Sequence, residues 1–286
     1  MAEQNNSQEN NEIPERNVSW LKVFLGGLVL YIIGLFALAV TQNPNIFPTV
    51  TMLGNFLVPV TYVAFFYQHR RLSKLDMPTT SWAFFYGGLL GILAAAMLEP
   101  IFIQRLDFIS SFKVGLIEEF AKVIGILIIA KRCRHDSEMD GLILGAASGM
   151  GFAAFESTGY AFTAFLLSEG SLTATVLITL LRGLLSPVGH GTWTAILVSV
   201  MFRESKPRSF NINHKVVGFY LIVVILHGLW NGLPDLLSYL SFPGLNVFLG
   251  QMTVGGIGIL ILAKRYKEAK RQQVQKMIAG ELEQPC

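Results

Sequence analysis

Long apolar runs separated by short polar stretches extend along almost the whole chain, and each run has the length of a membrane-spanning helix. Eight are read, at about 21–41, 47–67, 82–98, 111–131, 141–168, 173–202, 216–240 and 244–263. The pattern predicts an all-α polytopic membrane helix bundle, because a spanning helix satisfies its own backbone inside lipid. The fifth and sixth runs are long enough to tilt or to extend beyond the hydrocarbon. The third is the shortest, ending at Glu99-Pro100, and 101–111 is expected to be an interfacial stretch over the outer mouth.

Within the runs, small residues mark where helices approach closely. Gly141, Gly145, Gly149, Ala153, Ser157 and Ala161 recur every four residues and form a packing face. Gly250, Gly255, Gly256 and Gly258 act in the same way on the last run, without a regular stripe. Pro187 frees a backbone carbonyl and predicts a kink just before His190, which would aim that imidazole inward.

Composition agrees with the pattern: 286 residues are 52% hydrophobic and only 14% charged, against about a quarter charged in soluble domains. A net charge of +3 points to no nucleic-acid partner, and its distribution says more than its sum. Lys and Arg gather in alternate segments: the N-terminal stretch (Arg16, Lys22), 67–80 (Arg70, Arg71, Lys74), 131–140 (Lys131, Arg132, Arg134), 203–215 (Arg203, Lys206, Arg208, Lys215) and the C-terminal stretch from Lys264. The intervening loops hold only Arg105 and Lys113. Both termini are therefore expected in the cytoplasm.

Residues 1–20, rich in Asn, Gln and Glu, read as a disordered cytoplasmic tail, 21–266 as the membrane domain, and 267–286 as a second cytoplasmic tail. Ala37-Leu38-Ala39 resembles a signal-peptidase box. The acidic stretch before it and the length of the run predict a retained helix instead. Cys133 and Cys286 both fall on the cytoplasmic side, where a structural disulfide is not expected.

Ionisable groups inside spans are expensive, so they mark function by default. Here they are Glu118, Glu119 and Lys122 in the fourth run, Glu156 in the fifth, Arg182 and His190 in the sixth, and His227 in the seventh. Asn231 and Asp235 follow His227 on the same helix. Four consecutive spans supply them, which predicts one polar cavity with the other helices as scaffold. Helical spacing lets Lys122 reach either carboxylate of its own helix, but one lysine does not neutralise two glutamates. Arg182 reads as a structural partner of Glu156, and Asp235 as a boundary residue or cap.

Two Glu, two His and an Asn suit hydrolysis. A glutamate in an apolar setting beside a second carboxylate serves as general base. A histidine and an asparagine one turn apart can aim donors at one oxyanion. The same groups also suit Zn²⁺, drawn from Glu118, Glu119, Glu156, His190 and His227, although the His-Glu-x-x-His spacing is missing. The residues leave both readings open.

The ordered motifs Glu118-Glu119-Phe-Ala-Lys122, Phe152-Ala-Ala-Phe-Glu156, lone His190 and His227-Gly-Leu-Trp-Asn231 resemble the PrsW family of intramembrane proteases. That family is related to the CAAX prenyl endopeptidases and bacterial CPBP proteins. Those relatives carry Glu-Glu-x-x-x-Arg and Phe-x-x-x-His, from which Lys122 and Glu156 depart. The resemblance implies a multi-pass endopeptidase of a bacterial cell membrane that cuts a single-pass membrane protein, such as an anti-sigma factor, near its outer side. It implies that Glu118 activates water, that Glu119 and Lys122 position it, and that His227 with Asn231 binds the oxyanion. Glu156 and His190 would complete the water or metal site, and Arg182 would support it. Rival readings are a proton- or ion-coupled transporter, since Glu, Arg and His also build proton relays, a non-catalytic membrane scaffold, and an immunity protein of the CPBP kind.

Overall fold

The computed structural model describes residues 19–70, 73, 75–130, 137–206 and 209–279. Cys133, Cys286, both extreme termini and the loop cations Arg71, Lys74, Lys131, Arg132, Arg134 and Arg208 lie outside the described residues. Among the described residues there is no strand, and the chain is a helical membrane bundle. Its helices are α1 (Trp20–Thr41), α2 (Phe47–Gln68), α3 (Met77–Trp82), α4 (Gly88–Phe102), α5 (Ser110–Ala130), α6 (Glu138–Leu167), α7 (Leu172–Leu185), α8 (His190–Glu204), α9 (His214–Leu237) and α10 (Pro243–Ile278).

The expected third run is one continuous rod, because a π-helical turn at Ala83–Gly87 joins α3 to α4. Gly87 and Gly88 lie there against Ser148 and the Gly151 backbone of α6, so the widened turn sits where two backbones press together. The expected sixth run is broken, as Pro187 required: α7 ends in a 3-10 turn, Ser186–Val188, and α8 starts at His190. Among the described residues, six helical segments are long and apolar enough to cross a membrane. α5 and α6 are not among them, and α5 carries Lys113, Glu118, Glu119 and Lys122.

The core lies between α6 and α8. Met139, Leu142, Ile143, Ala146 and Met150 meet Trp193, Ile196, Val200 and Phe202, all buried. The small-residue stripe makes this possible. A Cβ on Gly141 or Gly145 would stand 2.6 Å from the carbonyl oxygens of Val198 and Thr194, and one on Gly149 would strike that of His190. The stripe thus draws His190 and Thr194 toward the bundle centre.

The last helix continues well past the apolar run, to Ile278, with Ala269 and Gln273 buried. An ionic clamp holds this extension. Arg265 meets Glu138 at the start of α6 at 3.4 Å and also pairs with Glu268. Arg203 of α8 reaches Glu268 at 2.9 Å and Glu204 at 3.1 Å, while Lys215 of α9 reaches Glu204 at 3.2 Å.

Candidate active site

Halfway along the bundle, α5 presents Glu118, Glu119 and Lys122 to α8 and α9, and all three side chains are buried. α9 comes close because Gly115 faces it: a Cβ there would be 3.1 Å from that of His227. The Lys122 ammonium has three acceptors, Glu119 at 2.8 Å, His190 Nδ1 at 2.9 Å and Glu118 Oε2 at 3.2 Å. It also lies 3.9 Å from the centre of the Phe152 ring, which gives the phenylalanine of Phe-x-x-x-Glu a direct role in holding the cation.

The two glutamates have different surroundings. Glu119 is fully buried, with Oε1 between Lys122 and His227 Nδ1 (3.1 Å) and Oε2 accepting from the Thr194 hydroxyl at 3.0 Å. Glu118 lines a cavity of about 480 Å³ together with Glu99, Glu156, Arg182, His190 and Asn231. Its Oε2 lies 3.7 Å from His227 Nε2 and 3.8 Å from His190 Nδ1.

Hydrogen bonding fixes the tautomers. Because His190 Nδ1 accepts from the ammonium, its proton is on Nε2, which donates to Glu156 at 3.2 Å. Glu156 is held in turn by Arg182 at 2.5 Å, and Arg182 also donates to Ser157 at 3.0 Å and lies over the Tyr160 ring. A neutral His227 donates through Nδ1 to Glu119, and its buried Nε2, which has no hydrogen-bond partner among the described residues, is then an acceptor facing Glu118. Trp193 packs against both imidazoles, with ring centres 4.7 Å from His227 and 5.5 Å from His190.

All eight residues singled out from the sequence therefore surround one centre or its cavity. Asn231 lies on the cavity wall. The wall is wider than four spans: Glu99 of α4, Leu106 and Asp107 of the following loop and Gln251 of α10 also line it. Thr194 escaped sequence reasoning. Its signal was a hydroxyl one helical turn after His190, on the same face.

The profile of the family described as "PrsW family intramembrane metalloprotease" matches residues 77–274, a span that contains every one of these groups. The chain belongs to that family. It is an intramembrane protease, and the other motif-bearing function classes recede with that assignment. No curated protein and no solved structure matches it.

The word metalloprotease can be tested against this PrsW site. Glu118, His190 and His227 each offer one ligand atom, all within 4.8 Å of one another, the number that a catalytic zinc site combines with water. Each imidazole also has a carboxylate on its outer nitrogen, as metal-binding histidines do. Two of these side chains, through His190 Nδ1 and Glu118 Oε2, also accept from the Lys122 ammonium. The three residues are of the kind and number that hold a catalytic divalent ion, and an ion there would compete with the Lys122 ammonium for them.

Proposed function

We propose that this PrsW-family protease hydrolyses its peptide bond with water activated by Glu118. The observation that carries the reading is the contrast between the paired glutamates: Glu118 faces the cavity, whereas both Glu119 oxygens are engaged by Lys122, His227 and Thr194. Glu118 takes a proton from water as the oxygen attacks the substrate carbonyl, then delivers that proton to the departing amine as the C–N bond breaks. His227 Nε2, an acceptor facing Glu118, helps to orient the same water. The resemblance assigned His227 a donor role at the oxyanion. In the neutral ring with its proton on Nδ1 it lacks the hydrogen for that task, so this reading gives the oxyanion to the Asn231 amide. Lys122 keeps Glu118 in place, and Arg182 and Glu156 fix the ring of His190.

The substrate in this reading is a single-pass membrane protein of a bacterial cell membrane, of the anti-sigma-factor kind, cut toward its outer side. The reading counts eight spans, adding α5 and α6 to the six apolar segments. Both termini are cytoplasmic, with the protease domain at 21–266 between tails. The alternation of Lys- and Arg-rich loops supports that orientation.

The test compares protein N-termini in membranes expressing wild type or Glu118→Gln at equal levels. New ends near one membrane segment, present with wild type alone, identify substrate and cut site. Identical end profiles under several envelope stresses would reject Glu118 hydrolysis. A cut on the cytoplasmic side alone would reject the outer-face assignment while leaving the base in place.

A further inference from the structure

The interior of α9 contains Pro234, which has no N–H and so leaves the carbonyl of Trp230, four residues earlier, without its helical donor. In a membrane such a carbonyl must find another partner, since each unsatisfied backbone group costs several kcal/mol there. The partner comes from α10: Gln251 Nε2 lies 3.4 Å from the Trp230 oxygen. Glycines bring the two helices together at this point. A Cβ on Gly250 would stand 3.1 Å from Leu233 and Leu237, and one on Gly255 would stand 3.4 Å from the Trp230 ring. Trp230, Asn231, Pro234 and Gln251 all line the cavity that holds Glu118.

We infer that Gln251 is a positioning residue: by holding the carbonyl that Pro234 releases, it fixes the loosened turn of α9 that carries Asn231 and so sets where that amide stands in the cavity. Gln251 belongs to a helix that supplies no other group to the centre. Its long hydrogen bond is cross-helix replacement of a missing backbone bond, which is why a polar side chain is kept among Phe248, Leu249, Met252 and Val254. The catalytic consequence rests on the role proposed above for Asn231; the packing consequence does not.

Pro234 makes the inference testable as a cycle. Pro234→Ala restores an N–H to the helix, gives Trp230 its internal donor and removes the task from Gln251. The first readout needs no activity. In a Cys133→Ser, Cys286→Ser background, Asn231→Cys is labelled with a positively charged methanethiosulfonate in membranes. Gln251→Leu is expected to change the labelling rate about threefold or more when Pro234 is present, and less than twofold when it is combined with Pro234→Ala, where the freed carbonyl no longer exists. Equal effects in both backgrounds, or no effect in either, overturn the inference.

The second readout is cleavage of dye-labelled casein in detergent. Gln251→Leu should lower kcat about tenfold with KM little changed, as expected for losing one hydrogen bond, and Pro234→Ala should remove most of that difference. Gln251→Asn and Gln251→Leu both shorten or delete the amide. Gln251→Glu, which retains length, should recover part of the rate at acidic pH, where a protonated carboxyl donates. Additive losses in the two backgrounds overturn the positioning role. If Glu118→Gln cleaves as wild type does, the proposed mechanism falls, and the labelling cycle still decides the role of Gln251.

Discussion

At the end of the bundle where α6 and α9 begin, three carboxylates (Glu138, Glu204, Glu268) face three cations (Arg203, Lys215, Arg265). Midway along α5, three carboxylates (Glu118, Glu119, Glu156) face two cations, Lys122 and Arg182, and two imidazoles. Both groups join α6 and α8 to neighbouring helices with ion pairs, of which Arg265–Glu138 and Lys122–Glu119 are buried on both sides. Among the described residues the first pairs three carboxylates with three cations, as a clamp requires. The second has one carboxylate more than it has cations among these residues, and Glu118 and Glu156 both line the cavity. The difference teaches where to look for chemistry in this fold: the cluster proposed as the active site is the one whose carboxylates outnumber its cations.

Substitutions in the two clusters can break that contrast. The largest effect is expected from Glu118→Gln, which removes the proposed base: cleavage should fall about 10³-fold, while unfolding in detergent stays close to wild type. A large stability loss with residual cleavage would place Glu118 among clamping residues instead. Lys122→Met should be next. It leaves buried carboxylates uncompensated at about 3–5 kcal/mol, seen as a lower unfolding midpoint. It also releases His190 Nδ1 and Glu118, so Zn²⁺ measured by metal content after dialysis should bind about tenfold tighter or more, charge-assisted bonds being worth about 1.5–3 kcal/mol each. No gain in metal retention would show that the ammonium does not compete for those atoms.

Glu138→Gln tests the clamp. Stability should drop by about 2–3 kcal/mol, near the low end for a broken buried pair because Glu268 still faces Arg265, and the turnover of the folded fraction should not change. Thr194→Val should cost about tenfold in kcat through loss of one hydrogen bond to Glu119, with little change in KM. The smallest effect lies outside both clusters. Asp107, exposed in the loop before α5, has its carboxyl held below the usual carboxylate range by the Ser110 N–H at 2.7 Å and by the Ser110 side chain. A depressed carboxylate contributes stability above its unfolded pKa and loses it as pH falls through the folded value. Acid unfolding below about pH 4 should therefore be less steep in Asp107→Ala.

The bundle and the membership of the site were legible because lipid makes each charge conspicuous. Glu118, Glu119, Lys122 and His227 interrupt apolar runs, and Pro187 announces the break that presents His190. Residues that act through hydrogen bonding were harder to see. Thr194 and Gln251 are inexpensive in a membrane helix, and their partners lie 75 and 21 residues away, so local spacing, which puts Thr194 on the face of His190, does not reveal what either one bonds. The extent of α10 was hidden for a different reason: beyond Ala263 its charged residues look like a solvated tail, and only the approach of Glu138 and Arg203 explains why the helix persists to Ile278.

At 36 residues α10 is about 54 Å long at 1.5 Å per residue, well beyond the roughly 30 Å of hydrocarbon it crosses. Gln251 and Arg265 stand 14 positions apart on it, about 21 Å at the same rise. One unbroken helix therefore couples the ionic clamp at Arg265 to the cavity wall at Gln251, so neither can shift along the bundle without the other.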